Sequence, residues 1–379
     1  RDSDHLAFLI VSEFLRIDLV GYKFVGWNSN TFDTVFIAKI LCQSSAYVMR
    51  PYMTRNHQLR GLRVDMVERP INWKGKNPPS WDFIDGMAAL GLAGLSLAKF
   101  LENFAPEYPK LGGVIDFEAG ETFDPANPKH CEYAMRDSVG LWHAMSRAQD
   151  ILIGQFNEPL RITMGGVGIR IFKGNMPTGI NVRPLADSVN EIIRSQVMRG
   201  GYCFCFRQYQ GPIWKYDINQ AYAAAMRDAK LPAGNCLHTE GGLHRYAAMT
   251  NSPYIVRVSG NLRGNRIPFY HRAYIDGRLR SIHAMELLRD TWITSIEHAQ
   301  LISEGHHLTI RESYSFDDSF SMIDFVNQLE SLRMNCEGGP SGPTGTMIKM
   351  VGNHCYGKFS EDIDSSEFAI AQTCPDEYY

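Results

Sequence analysis

Three groups of side chains in this 379-residue sequence have the types and spacing for chemistry. The stretch Ile213-Trp214-Lys215-Tyr216-Asp217-Ile218-Asn219-Gln220-Ala221-Tyr222 delivers a carboxylate where a β-branched, aromatic run gives way to an alanine-rich one. Side chains alternate along a strand, so Asp217 shares a side with Lys215 and Ile213, and an acid at a strand end can hold a divalent cation through oxygen ligands. An aspartate that merely opens a helix is the other reading. Lys349, Asn353, Tyr356 and Gly357 stand at i, i+4, i+7 and i+8, one helical stripe, with Met347 and Val351 on the opposite side. A cation, an amide, a ring and bare backbone suit a nucleoside triphosphate: lysine meets phosphate charge, and tyrosine with glycine leaves a flat rest for a base pair. Glycine in mid-helix costs on the order of 1 kcal/mol relative to alanine and asks for a reason, although a polar outer face is the plain alternative. Tyr133 and Asp137, four residues apart, share the face of a third helix.

Behind these groups the periodicity predicts an α/β arrangement. Residues 213–218 read as a buried strand and 221–230 as a helix, with Asn219 as its cap and Pro232 and Gly234 after its end. Residues 6–48 alternate helical pattern with an apolar run at 22–27. Residues 50–80, with Arg50, Arg55, Arg60 and Arg63, read as a surface excursion, either basic or simply solvated. Helix is predicted over 81–104 and 130–150, joined by a Gly/Pro-rich connection. Met164-Gly165-Gly166-Val167-Gly168 lacks the last glycine and the βαβ setting of a dinucleotide loop, so it reads as a turn or linker. A helix over 188–197 leads to Arg199-Gly200-Gly201 and a strand at 202–206. Between residues 257 and 280 six arginines stand against Asp276 alone, interleaved with Phe269, Tyr270 and Tyr274. That mixture suits a nucleic-acid backbone and its bases, or a solvated hairpin face. Helices are predicted over 281–304 and 322–334, and a flexible break over 338–345.

Composition sets the bounds. With 44% hydrophobic residues the chain can bury a large core, and its length suits two or three domains. A net charge of −3 makes no global case for nucleic acid, so local patches decide. The eight cysteines form no CxxC pair, which argues against zinc and a disulfide lattice and for a reducing compartment. No apolar run reaches the roughly eighteen residues of a membrane span, and no signal peptide opens the chain. A cytoplasmic protein without a membrane partner is expected. A sequence that begins at Arg1 rather than Met reads as an interior piece of a longer chain.

The residues carry a resemblance. Lys349-Met350-Val351-Gly352-Asn353-His354-Cys355-Tyr356-Gly357 resembles the fingers-helix motif Lys-x-x-x-Asn-Ser-x-Tyr-Gly of the family B DNA polymerases, and within them of the protein-primed phage type, with His354 in place of serine. Asp217 to Tyr222 is similar to the palm motif Asp-x-x-Ser-Leu-Tyr-Pro, from which Gln220, Ala221 and Ala223 depart. Arg199-Gly200-Gly201 resembles the Tyr-x-Gly-Gly turn, with Met198 in the tyrosine position. Asn28-x-x-x-Phe32-Asp33 and Tyr133-x-x-x-Asp137 resemble the second and third proofreading-exonuclease motifs. Lys110 matches the catalytic lysine of the protein-primed subgroup, and Asp85-Gly86-Met87 stands for its single-strand-binding Ser-Leu pair.

The resemblance implies a mixed α+β chain in which a ribonuclease-H-like 3′–5′ exonuclease domain precedes a right-hand polymerase palm and fingers. The expected division is exonuclease 1–165, linker turn and palm 166–256, an inserted subdomain 257–325, fingers 326–362 and a return toward the palm 363–379. Two Mg²⁺ or Mn²⁺ ions are implied per active site, held by Asp217 with the Ile218 backbone in the palm and by Asp33 and Asp137 in the exonuclease. Tyr133 would place the hydrolytic water, with Lys110 beside it. Tyr222 would lie under the deoxyribose, Lys349 would bind the triphosphate across a cleft from Asp217, and Asn353, Tyr356 and Gly357 would line the nascent pair. Asn28, Phe32, Gly200, Gly201, Arg263 and Arg266 would contact DNA. The implied partners are primer-template DNA, dNTPs and a terminal priming protein, in viral or plasmid replication. The palm's Asp-Thr-Asp does not occur in the sequence, and upstream of Asn28, where the exonuclease's Asp-x-Glu is expected, stands only Arg1-Asp2-Ser3-Asp4; truncation is the expected cause. A DNA-binding 3′–5′ exonuclease and a non-catalytic replication scaffold are the competing readings.

Overall fold

A computed structural model describes residues 11–53, 59–115, 119–199, 210–218, 220–250, 252–262, 264 and 268–359. The chain divides into two compact units, Arg1–Ile171 with Ser331–Tyr379, and Phe172–Glu330. The edges expected at 165, 256 and 325 each fall inside a helix or strand, as do the edges of these two units.

The first unit is built on a four-stranded sheet of order β1-β4-β3-β2, with β1 (Lys23–Gly26) parallel to β4 (Ser80–Asp85) and the other pairs antiparallel. Helix α1 (Asp33–Leu41) packs Ala38 and Leu41 into a core with Met49, Leu62, Val64 and Trp81. Within the surface excursion predicted at 50–80, the part up to Met66 is instead the hairpin β2 (Tyr47–Met53) and β3 (Leu59–Met66), while residues 67–79 are irregular and mostly exposed. In β3 the charges alternate with buried Leu62 and Val64, the period of a half-buried strand. Arg50 and Arg63 face each other across the pair, an opposition of like charges that Asp65 relieves by bonding them at 3.0 and 2.8 Å. The start of the helix predicted at 81–104 is strand β4, whose Trp81 and Phe83 alternate into the core. Only α2 (Gly86–Ala89) and α3 (Leu97–Phe104) are helical there, capped by the side chains of Asp85 and Ser96. Helix α4 (Pro128–Phe156) opens under an Asn127 cap and ends at left-handed Asn157. Residues 164–168, read as a turn or linker, belong to helix α5 (Met164–Gly174).

In the second unit, α6 (Asp187–Ile192) continues into a π-helical turn, Ile193–Val197. The strand predicted at 213–218 is absent: Ile213, Trp214, Tyr216 and Ile218 are 73–88% exposed. Extended backbone becomes strand only when a neighbour takes its N–H and C=O groups, and no described strand pairs with it. Helix α7 (Ala221–Asp228) follows, with left-handed Gln220 as its N-cap; Asn219 lies outside the described residues. An antiparallel sheet of order β5-β10-β6-β9 holds β5 (Leu231–Glu240), whose edge position tolerates Pro232, and β6 (Tyr254–Asn261). The arginine-rich stretch continues into a hairpin of β7 (Phe269–Ile275) and β8 (Arg278–Ala284), turned by Asp276 and Gly277 at positive φ. The helix predicted at 281–304 is therefore mostly strand, β8 and β9 (Leu287–Thr294), and only α8 (Ser295–Ser303) is helical, closed by a Thr294–Glu297 capping box. Strand β10 (His307–Phe320) and the part of α9 (Ile323–Asn335) up to Glu330 complete the unit.

Helix α10 (Pro343–Phe359) belongs to the first unit and begins inside the predicted break. Its buried face is Met347, Ile348, Val351, Gly352 and Cys355, and burial pushes the Cys355 thiol up to about 12. A Cβ on Gly168 of α5 would lie 3.0 Å from both Cys355 N and Val351 O. The small residues of the presumed linker thus let two helix backbones touch. No described helix is long and apolar enough to cross a membrane. Gly168→Val should push α5 from α10 and cost about 1–3 kcal/mol of overpacking, measured by urea unfolding at unchanged m-value.

Candidate functional site

Parallel pairing of β1 and β4 brings Gly26 opposite Asp85, so the ends of these strands open side by side. Asp85 is 2% exposed and its carboxylate accepts three backbone N–H groups: Asn28 at 3.2 Å, Asn30 at 3.1 Å and Ala88 at 3.2 Å. These bonds replace the water a buried carboxylate loses, and they shape the turn from left-handed Asn28 to exposed Phe32 and Asp33. Of Asp85-Gly86-Met87, the first two residues are buried and Met87 is half-buried. Asp33 opens α1.

On α4, Tyr133 and Asp137 share a face as their spacing requires. Lys110, from the irregular segment before α4, sets its Nζ 2.8 Å from Asp137 Oδ2 and 5.2 Å from the Tyr133 ring centre. Burial works against the ammonium, but hydrogen bonds to Asp137 and Tyr133 outweigh it and hold Lys110 above its ordinary range. Asp33 and Asp137 line one cavity of about 940 Å³, together with Lys23, Trp27, Leu97 and Trp142. The Oδ1 atom of Asp137 is buried without a hydrogen-bond partner. An orphaned carboxylate oxygen on a wall shared with a second acid fits a hard divalent cation. No group of three or more His, Cys, Asp or Glu side chains stands together among the described residues, so two acids are what this unit offers. Trp27, Leu97 and Trp142 escaped the sequence reading. Trp142 carried a signal: it is 64% exposed on the α4 stripe Ser138, Trp142, Met145, Gln149, a helical period along the cavity wall.

The α10 stripe is as predicted in its exposure pattern: Lys349 and Gly357 are exposed, Asn353 and Tyr356 half-buried, Met347 and Val351 buried. A Cβ on Gly357 would meet nothing within 4 Å, so packing inside the described chain does not demand glycine there. Lys349 belongs to the first unit and Asp217 to the second. Asp217 and Ile218 lie on the exposed segment before α7, and Tyr222 on α7 is 46% exposed. Gly200, Gly201, Arg263 and Arg266 lie outside the described residues.

Arg199, just before the Gly-Gly pair, is an internal anchor. Its guanidinium bonds Glu297 at 2.8 Å and the Tyr270 carbonyl, and covers the Phe269 ring. Arg257 bonds Glu312 at 2.8 Å. Arg278 and Arg280 pair with Ile275 and Ala273 on one hairpin face, while Arg272 pairs with Ser281 on the other. The described arginines of this stretch thus do not share one face.

The fold has known counterparts. Phi29 DNA polymerase complexed with primer-template DNA and incoming nucleotide substrates superposes with a TM-score of 0.64 at 18% identity, covering 88% of this chain and 59% of that one. The same polymerase complexed with single-stranded DNA gives 0.62, again at 18% identity, covering 89% and 58%. At this identity the likeness establishes a shared fold. A probable DNA polymerase of Neurospora intermedia is 21% identical over 251 residues, which are 64% of this chain and 25% of that protein. The chain therefore spans about a quarter of that relative and under two thirds of the phage enzyme. The family model for DNA polymerase type B, organellar and viral, matches residues 125–377. The chain belongs to this family.

Because the fold raises the pKa of Lys110, its pairing contributes fully below the unfolded value of 10.5 and is lost as pH rises through the higher folded value. The stability difference between the native protein and Lys110→Met should be constant between about pH 6 and 9 and shrink above 10.5, followed by urea titrations across that range.

Proposed function

We propose that the protein is a DNA-dependent DNA polymerase with a 3′–5′ proofreading exonuclease, replicating a viral or plasmid genome from a protein primer. The observation that carries this reading is the family match, which runs unbroken through the Tyr133-Asp137, Asp217-Tyr222 and Lys349-Gly357 motifs. Phi29 DNA polymerase, which shares the fold, is known with primer-template DNA, incoming nucleotides and single-stranded DNA; the same ligand classes are proposed here, with a terminal priming protein.

In the exonuclease, a frayed 3′ end enters the cavity of Asp33 and Asp137, where Trp27 and Trp142 offer rings for unstacked bases. Divalent cations, Mg²⁺ or Mn²⁺, would supply charge neutralisation and an activated water, two to each active site. Asp33 and Asp137 would hold them, Lys110 fixes the Asp137 carboxylate from its other oxygen, and Tyr133 orients the attacking water. In the polymerase, Lys349 meets the triphosphate, Asn353 and Tyr356 border the nascent pair, Gly357 leaves room for it, and Asp217 with the Ile218 carbonyl would hold the metals. Tyr222 excludes a 2′-hydroxyl by contact. Asn28 and Phe32 grip the single strand, and Gly200, Gly201, Arg263 and Arg266 track the backbone. Residues from 257 onward act as the inserted subdomain.

A second reading, a DNA-binding exonuclease, draws on one contrast: Asp33 and Asp137 line one cavity, whereas Asp217 stands on an exposed segment. Incorporation of labelled dNTP on a primed template by the full-length natural protein separates the two; degradation without incorporation sinks the polymerase.

In that protein, Asp33→Ala with Asp137→Ala should lower 3′–5′ degradation by at least about a thousandfold, some 4 kcal/mol of transition-state stabilisation, and spare extension. Joint loss of both activities would contradict separate sites. Tyr222→Val should raise ribonucleotide incorporation relative to dNTP by about tenfold or more in single-nucleotide kcat/KM assays, and unchanged selectivity would remove the role given to Tyr222.

A further inference from the structure

His354 is where the α10 stripe departs from the motif it resembles, histidine standing for serine. Its imidazole lies directly on Gly91, in the turn between α2 and α3. Gly91 has φ +69°, and a Cβ there would fall inside the ring. Only glycine combines that backbone with that neighbour. Burial pushes the His354 imidazole below its ordinary range, a hydrogen bond to the Gly91 backbone opposing.

From Gly91 two short routes lead to the cavity of Asp33 and Asp137. On one side Gly91 N donates to Ala88 O, Ala88 N donates to the Asp85 carboxylate, and that carboxylate holds the amides of Asn28 and Asn30. Asp33 follows three residues on. On the other side the turn continues through Leu95 N, which donates to Leu92 O, and Leu95 O accepts the Trp27 Nε1 proton at 3.0 Å. Trp27 and Leu97 both line the cavity.

We propose that His354 is a positioning residue that ties α10 to the turn carrying Asn28, Phe32 and Asp33, so that a shift of α10 is transmitted to the degradative cavity. The inference rests on the reading of α10 as nucleotide-binding and of the cavity as exonucleolytic. Intermediacy alone is not coupling; here the contact has no slack, because the ring cannot advance without displacing the backbone of residue 91. A nucleotide seated on α10 thereby sets the order of the turn that grips a single strand.

The test uses the full-length natural protein with His354→Ser, the motif's own residue, and His354→Ala. Amide exchange at Asn28 and Asn30 should speed up on the order of tenfold, with α4 amides unmoved. Degradation of a single-stranded oligonucleotide should fall several-fold, while KM for dNTP changes less than about twofold. Unchanged exchange at both amides overturns the tie, whatever the activities do. Faster exchange spread equally through α4, α5 and α10 also overturns it, since that is a packing loss. If the unaltered protein neither extends nor degrades DNA, the functional reading fails, and the exchange result still decides the tie.

Discussion

The buried carboxylate of Asp85 is the interaction on which the described site depends. A charge at 2% exposure is tolerable only if hydrogen bonds replace its hydration, and three backbone N–H groups do so from two directions. Two of them belong to the turn after β1 and one to α2, so satisfying one side chain joins the end of one strand to the start of the helix after its parallel neighbour. The left-handed backbone of Asn28 persists because this acceptor holds it. Asp33 is delivered at a defined point for the same reason, and Asp137 is held from the far wall by Lys110.

What the sequence made legible was local chemistry on helices. Tyr133 with Asp137, and Lys349 with Asn353 and Tyr356, needed only the helical repeat, and both helices form. Strands were harder. Residues 59–66 and 80–85 carry charges between their apolar residues, and the charges drew attention first, although their alternation is the strand signal. Residues 213–218 show the converse: strongly strand-like side chains without a described partner strand. Strand propensity expresses fit to a neighbour, so it is the less portable of the two signals.

Glycines mislead when read one at a time. Gly165-Gly166-Val167-Gly168 has the composition of a turn, yet it lies within α5, and the missing side chain of Gly168 is what lets α10 approach. Gly91 is the opposite case, a left-handed turn whose empty Cβ position is filled by the ring of His354. Neither role can be told from the residue itself, since each is defined by an atom from more than 180 positions along the chain. Arginines mislead similarly. Arg50, Arg63, Arg199 and Arg257 are each answered by an acid, so local sequence counts of basic residues overstate the positive surface presented to a polyanion.

The two chemistries attributed to the chain differ in how their acids are held. Asp137 is clamped by a lysine and carried on a 29-residue helix, and Asp33 follows a turn whose amides are pinned by a buried carboxylate. Metal ligation of the kind proposed requires side chains fixed to within about half an ångström, and Asp33 and Asp137 sit on backbone that packing already in place holds. Asp217 does not, because its backbone is held by no described ladder and its neighbours Trp214 and Tyr216 stand 87–88% exposed. The apolar side chains flanking Asp217 are of the kind that pay their way only against another strand or layer. The side chains given to the proposed degradative site are therefore held within the first unit, while the precision that the proposed synthetic site needs at Asp217 has to come from contacts that cover residues 213–218.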